Sequence, residues 1–223
     1  SGAVVWGPER WHVELRGEAA RRMREGASKK QWHEPGFSEV PFYPFESDEA
    51  LYRSIAEADR ALLVGAMEYV PADQIEEVRR LSTISPWTIV NQGGGKWRPC
   101  HDYSVGTNRV VATAPCTLPS VWDVLPSIKK GSSFAKYDIR DGFWHCPVAP
   151  GSRKRLVVRH PGTGRLMWAS RLPFGYLDSP RLFCGLTEAV VSRARAKVAG
   201  LDIQFYVFVD DVLCVGATDE LTR

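Results

Sequence analysis

Two adjacent carboxylates, Asp210 and Asp211, interrupt the apolar stretch FYVFVDDVLCVG at residues 205–216. The apolar and β-branched runs on either side predict two buried strands, joined as a hairpin with the acidic pair at its tip. Two negative charges about 5 Å apart repel each other by roughly 3 kcal/mol at an effective dielectric constant near 20. An Asn-Gly tip would turn the chain without that cost, so we expect a cation to compensate the pair.

A third carboxylate, Asp138, lies at the end of the predicted strand SFAKYDI. If a neighbouring strand carries it beside the hairpin tip, carboxylates from two strands suit a hard divalent ion such as Mg²⁺, which keeps coordination positions open for phosphates. Two such ions stabilise the attacking and leaving oxygens of an in-line phosphoryl transfer. The alternative is that each aspartate is a turn residue whose side chain bonds the local backbone.

The elements around these aspartates are a strand, a hairpin, a helix and then the acidic hairpin. The middle hairpin is predicted from strands at residues 156–159 and 166–170, and the helix begins at Ser179-Pro180 and ends near Gly200. The inward face of that helix is predicted to carry Phe183, Leu186, Val190 and Ala194. This order predicts a mixed fold with an antiparallel sheet.

Upstream, a weak basic helix is predicted near residues 17–30. A second helix is predicted from Asp48 behind a Ser47 cap, and a third at residues 73–81. A basic hairpin follows, in which a short strand at residues 87–90 leads into three glycines and then two cations, Lys96 and Arg98.

Composition is that of a globular protein, because 44% of the 223 residues are hydrophobic and 25% are charged. No run of apolar residues approaches the length of a membrane span, so we expect no membrane partner. The five cysteines are odd in number, widely spread and without zinc-knuckle spacing. We therefore expect an intracellular protein, with cytoplasm and nucleus left open.

Charge is unevenly distributed although the net charge is only +3. Between residues 151 and 200, ten lysines and arginines face only two acidic residues. Such an excess is typical of a surface that binds a polyanion. The alternative, a solvated charged face, stays open on charge alone.

Four segments in the same order resemble the reverse transcriptases. KWRPCHDYSVGTNR is similar to their basic fingers strand, YDIRDGFWHCPV to the palm strand with the first catalytic aspartate, LPFGYLDSPRLF to the following loop and helix, and FVDD to the paired-aspartate hairpin. Within the family, the resemblance is to long-terminal-repeat (LTR) type elements and particularly to DIRS-like retrotransposons.

The resemblance implies an α+β fold, the fingers and palm of a right-hand polymerase, with an antiparallel palm sheet packed on helices. Residues 1–45 would be an N-terminal extension, 46–132 a fingers-type region, and 133–223 a palm core truncated after the paired-aspartate hairpin. The implied activity is RNA-directed DNA polymerisation, with dNTPs added to a primer 3′-OH on an RNA or DNA template. The implied partners include a thumb and a ribonuclease H domain of the same polyprotein.

Catalytic roles carried over by the resemblance fall on Asp138, Asp210 and Asp211. Asp138 and Asp210, with the carbonyl of Ile139, would ligate two Mg²⁺ ions, for which Mn²⁺ is an alternative. Asp211 would be the less essential neighbour.

Nucleotide binding is assigned by the same resemblance. Arg98 and Lys96 would reach the triphosphate, as a guanidinium fork and a point charge can. The backbone amides of Asp141 and Gly142 would cradle the same phosphates.

Phe143 falls at the steric-gate position, where an aromatic ring crowds a ribose 2′-OH; the alternative is an ordinary core aromatic. Phe174 and Gly175 would flank the nucleotide and template. Template-primer phosphates would be contacted by the basic residues Arg153, Lys154, Arg155, Arg159 and Arg171.

Two departures from the family pattern are visible. Ser104 stands where relatives usually have arginine, and Phe208 stands where tyrosine is common in the paired-aspartate hairpin. The competing hypothesis is a degenerate or co-opted fragment that binds nucleic acid without catalysis. A right-hand polymerase that makes RNA is a weaker alternative, because Phe143 opposes ribonucleotides.

Overall fold

The computed structural model describes residues 2–6, 11–15, 44–111 and 116–217. The predicted basic helix near residues 17–30 lies outside them. The strands are β1 Gly2–Trp6, β2 Trp11–Leu15, β3 Met67–Tyr69, β4 Trp87–Asn91, β5 Trp97–His101, β6 Ser132–Asp138, β7 Val157–Arg159, β8 Leu166–Ala169, β9 Gln204–Phe208 and β10 Asp211–Ala217. The α-helices are α1 Asp48–Leu63, α2 Ile75–Leu81, α3 Thr107–Val110, α4 Val121–Val124, α5 Pro150–Arg153 and α6 Ser179–Lys197.

The chain divides into two compact units. One consists of Ser1–Thr113 with Phe143–Ser179, and the other of Ala114–Gly142 with Pro180–Arg223. The domain boundary predicted at residue 133 stays a prediction. Over the described ranges, every helix is too short or too polar to cross a lipid bilayer.

The first unit contains an antiparallel sheet of order β3-β8-β7, the β4–β5 hairpin and helices α1 and α2. Helix α1 begins where Ser47 accepts a hydrogen bond from the amide of Ala50 at 3.1 Å, which confirms the predicted cap. A core cluster of this unit packs six buried side chains from helix, strand and loop: Val70, Val78, Ile84, Val157, Leu166 and Trp168.

The predicted basic hairpin is confirmed, since β4 and β5 pair in register from Trp87↔His101 to Asn91↔Trp97. The three glycines between the strands all have positive φ, from 60° to 82°. A side chain at any of these positions would strain the backbone, so a run of glycines is a clear sequence signal for this turn.

The second unit contains the antiparallel sheet β6-β10-β9, which packs against α6. Val207, Val212 and Cys214 from the sheet are buried with Val191 from the helix. The prediction of Val190 on the inward face is wrong, because its side chain is 54% exposed. Spacings of three and four residues both follow a helical face, and packing on the sheet selects Val191.

The acidic hairpin turns one residue earlier than predicted. Phe208 at the end of β9 pairs with Asp211 at the start of β10, so the two-residue loop is Val209-Asp210. Val209 has φ of 57°, a left-handed conformation that β-branched residues seldom adopt. Local propensity placed this valine in the strand, and the predicted tip at Asp210-Asp211 is therefore wrong.

Candidate active site

The register of the second sheet brings two carboxylate residues face to face. Asp138, the last residue of β6, is the antiparallel partner of Asp211, the first residue of β10. Such directly opposed residues have Cβ atoms about 4.5–5.5 Å apart and project from the same face of the sheet. The backbone carbonyl of Asp210 accepts a hydrogen bond from the amide of Ile139 at 3.0 Å. Thus all three predicted catalytic aspartates lie at one end of this sheet.

The turn that carries Asp210 is held by α6. The hydroxyl of Thr187 lies 3.4 Å from the carbonyl oxygen of Val209 and 3.0 Å from that of Phe183. A left-handed valine costs on the order of 1–3 kcal/mol, and such strain persists only where the surroundings fix it. The helix contact is one part of that support.

A lysine compensates the acidic pair. The Nζ of Lys136 lies 3.0 Å from Oδ1 of Asp211. This is a cation of the kind that the charge repulsion led us to expect, yet the sequence reasoning did not identify it. The available signal was strand periodicity, because Lys136 and Asp138 are two residues apart on β6 and share a face.

The donor set suits a hard divalent ion. Carboxylate and carbonyl oxygens are the ligands that Mg²⁺ prefers, and this ion binds through one or two carboxylates while the substrate supplies others. Within the described ranges, no group of three or more His, Cys, Asp or Glu side chains is arranged to hold a metal by itself.

The turn after β6 has an unusual backbone. Asp141 has φ of 53°, and a Cβ added to Gly142 would lie 2.6 Å from Cζ of Phe183. A side chain at position 142 would therefore require the ring of Phe183 to move. Amides in left-handed turns can form a concave anion-binding surface, which is the role predicted for these two residues.

Five of the predicted nucleotide-binding residues lie in the first unit, namely Lys96, Arg98, Phe143, Phe174 and Gly175. The rings of Phe143 and Phe174 have centroids 5.4 Å apart, and Trp144 contacts Phe174 edge-on at 6.0 Å. Gly175 has φ of 83°, and a Cβ there would lie 2.0 Å from the carbonyl oxygen of His101. The loop that carries Phe174 and Gly175 is thus pinned against β5.

His101 is a buried packing residue. Its ring lies 4.4 Å from Trp87 and 5.9 Å from Tyr103, measured between centroids. Burial lowers the pKa of His101 to about 3, and the nearby backbone of Phe174 opposes part of that shift. Lys96 and Arg98 are exposed on the same β4–β5 hairpin, where a phosphate could reach them.

The predicted phosphate-contacting residues have different surroundings. Arg153 pairs with Glu68 at 2.7 Å, and Lys154 pairs with Glu77 at 2.6 Å, a hydrogen bond that lowers the pKa of Glu77. Arg155 is only 1% exposed, and burial lowers its pKa to about 10.

The prediction that Arg155 faces phosphate therefore disagrees with the structure, because its guanidinium is buried within the protein. Arg159 donates to the carbonyl of Gly164 at 3.0 Å, and Arg171 is partly exposed. Charge counting along the sequence could not separate buried from exposed side chains.

Comparison with known proteins points to one family. Residues 89–222, more than half of the chain, match the family model described as "Reverse transcriptase (RNA-dependent DNA polymerase)". The chain is 26% identical over 189 residues to the Gag-Pro-Pol polyprotein of Simian retrovirus SRV-2, covering 79% of this chain and 10% of that polyprotein. It is 26% identical over 196 residues to the Enzymatic polyprotein of Figwort mosaic virus (strain DxS), covering 79% and 28%.

A solved structure has a similar fold. It is described as the foamy viral protease-reverse transcriptase dRH in complex with ds DNA, and it matches with a TM-score of 0.61 at 21% identity. The match covers 82% of this chain and 29% of that chain. The predicted α+β fingers and palm architecture is consistent with this similarity.

Proposed function

Because the chain belongs to the reverse transcriptase family, we propose that it acts as the RNA-directed DNA polymerase domain of a retrotransposon-like element. Enzymes of this family are nucleotidyltransferases. The observation that carries the proposal is the meeting of Asp138, Asp210 and Asp211 at one end of the β6-β10-β9 sheet. A DIRS-like parent element remains a prediction from the sequence.

The carboxylates of Asp138 and Asp210, with the carbonyl of Ile139, are proposed to hold two divalent ions, Mg²⁺ or alternatively Mn²⁺. When bound, such ions stabilise the attacking primer oxygen and the departing pyrophosphate. Asp211 adds negative charge beside them and is itself restrained by Lys136.

Nucleotide binding is proposed to use cations and backbone amides. Lys96 and Arg98 neutralise the triphosphate, and the amides of Asp141 and Gly142 bind its oxygens. Phe143 excludes a ribose 2′-OH, while Phe174 and Gly175 flank the nucleotide and template.

The proposed partners are dNTPs and a primed RNA or DNA template, whose phosphates Arg153, Lys154, Arg159 and Arg171 contact. Binding should weaken steeply with salt, because cations released from the nucleic acid drive it. The relatives are much longer polyproteins, so we propose that a thumb and a ribonuclease H domain act with this domain inside the cell, in cytoplasm or nucleus.

Primer extension by the polymerase in its natural polypeptide tests the proposal. We expect Mg²⁺-dependent incorporation of dNTPs that Asp138→Asn abolishes. Asp202→Asn is the matched control, because Asp202 is an exposed aspartate of the same unit that pairs with Lys129 at 2.6 Å. Undiminished extension by Asp138→Asn would refute the proposal. Template binding without incorporation by the unaltered protein would support the co-opted fragment instead.

A further inference from the structure

The ion pair between Lys136 and Asp211 places a cation inside the acidic site. Lys136 lies opposite Leu213 on β10, and Asp138 lies opposite Asp211, so the lysine reaches diagonally across the strands. Diagonal neighbours in an antiparallel pair are about 7–8 Å apart, within reach of a long side chain. The resulting Nζ–Oδ1 distance is 3.0 Å.

The surroundings of Lys136 are compatible with a side chain that extends towards Asp211. A recess of about 400 Å³ is lined by Lys136 and Asp211 together with Val121, Tyr206 and Leu213, among others. A lysine stem can lie along apolar side chains while its ammonium group stays at the water boundary. The side chains of Lys136 and Asp211 are 64% and 37% exposed, which leaves the pair accessible to ions.

From this geometry we propose that Lys136 competes with divalent ions for the carboxylate of Asp211. When no metal is bound, the ammonium group of Lys136 pairs with the carboxylate of Asp211. A metal ion that binds this carboxylate must displace the ammonium group. Lys136 thereby sets the metal concentration that the site requires. The inference rests on the proposed function, because it assumes that divalent ions bind at Asp138 and Asp210, beside Asp211.

The same ion pair explains why Asp210 and Asp211 would differ as metal ligands. Asp210 lies in the two-residue turn, and its backbone is tied to Ile139. Asp211 is the first residue of β10 and has a lysine partner. A metal ion therefore meets a competing cation at Asp211, which makes Asp211 the weaker ligand of the two.

Direct measurement of Mn²⁺ binding tests the competition without relying on catalysis. Free Mn²⁺ is followed by electron paramagnetic resonance with the full chain, in the absence of nucleotide and nucleic acid. We expect Lys136→Met to bind Mn²⁺ about three- to fivefold more tightly, the size expected for loss of a partly exposed ion pair. We expect Lys136→Arg, which keeps the charge, to behave like the unaltered protein.

Lys129→Met is the matched control, since Lys129 is an exposed lysine of the same unit that pairs with Asp202. Its Mn²⁺ affinity should be unchanged. Circular dichroism establishes that each variant is folded. In primer extension, Lys136→Met should reach half-maximal rate at a lower Mg²⁺ concentration.

Unchanged or weaker Mn²⁺ binding by folded Lys136→Met would overturn the inference and leave the proposed function intact. A different result separates the two ideas: if Asp138→Asn does not weaken Mn²⁺ binding, the proposed metal site fails. Tighter binding by both Lys136→Met and Lys129→Met would also overturn the inference, because it would reflect net charge alone.

Discussion

The amide of Ile139 donates a hydrogen bond to the carbonyl of Asp210 at 3.0 Å, which joins the end of β6 to the turn of the acidic hairpin. This contact continues the β6–β10 ladder, in which Asp138 and Asp211 are partners, by one step beyond both strands. Backbone pairing therefore brings the three aspartate residues to one end of the sheet.

Replacing Val209 tests the strain in that turn. We expect Val209→Gly to change the free energy of unfolding by less than about 1 kcal/mol, because relief of the positive φ offsets the entropy that glycine adds to the unfolded chain. Val207→Gly, at a buried position of β9, should cost about 3 kcal/mol or more. Urea denaturation measures both. If Val209→Gly lowered the free energy of unfolding as much as Val207→Gly, the turn would not be strained.

Gly175 should be intolerant of any side chain. We expect Gly175→Ala to destabilise the protein by about 3 kcal/mol or more, since its Cβ would lie 2.0 Å from the backbone oxygen of His101 at a positive φ. Thermal unfolding measures the effect. Gly151→Ala is the control, because a Cβ there meets nothing within 4 Å. Equal melting temperatures for the two variants would contradict the packing described for this loop.

Burial of His101 predicts a dependence of stability on pH. Its pKa is lowered from 6.5 to about 3, so below pH 6.5 the unfolded state binds the proton more readily than the folded state. Stability should therefore fall as pH drops from 6.5 towards 3, by up to about 1.4 kcal/mol per pH unit from this group.

Urea denaturation as a function of pH checks this, with His101→Gln expected to flatten the profile. If His101→Gln fails to fold, an NMR titration of the unaltered protein serves instead. A His101 ring that becomes protonated near pH 6.5 would disprove the assignment.

Phe143 should control the choice of sugar. We expect Phe143→Val to raise incorporation of ribonucleotides relative to deoxynucleotides by tenfold or more, because a smaller side chain leaves room for the 2′-OH. The ratio of kcat/KM for rNTP and dNTP measures it. Phe134→Val, at a position that is 54% exposed, is the control. No change in sugar selectivity at Phe143 would favour its alternative role as a core aromatic.

The sequence allowed prediction of those elements whose local signals agree with their environment. Three glycines marked the β4–β5 turn, and Ser47 marked the start of α1, because each residue satisfies a backbone requirement at its own position. Val209 could not be predicted in a turn, since its propensity favours a strand and only tertiary support holds its φ of 57°.

Only part of the candidate site could be predicted from the sequence. The three aspartates were recognisable as acidic residues at strand ends, but the partner of Asp211 depended on the register between β6 and β10. Arg155 shows the converse error, because one-dimensional charge counting treats a buried guanidinium and an exposed one alike.

The register of β6 against β10 also sets a rule for changes in chain length. Successive residues of a strand point to opposite faces, so a shift of one residue would bring Tyr137 opposite Asp211 and turn Asp138 to the other face. In genetic terms, a single-codon insertion or deletion that shifts this pairing by one residue would remove the acidic site although the ladder could still form. The register between these two strands is therefore as strict a requirement for this domain as the identity of its aspartates.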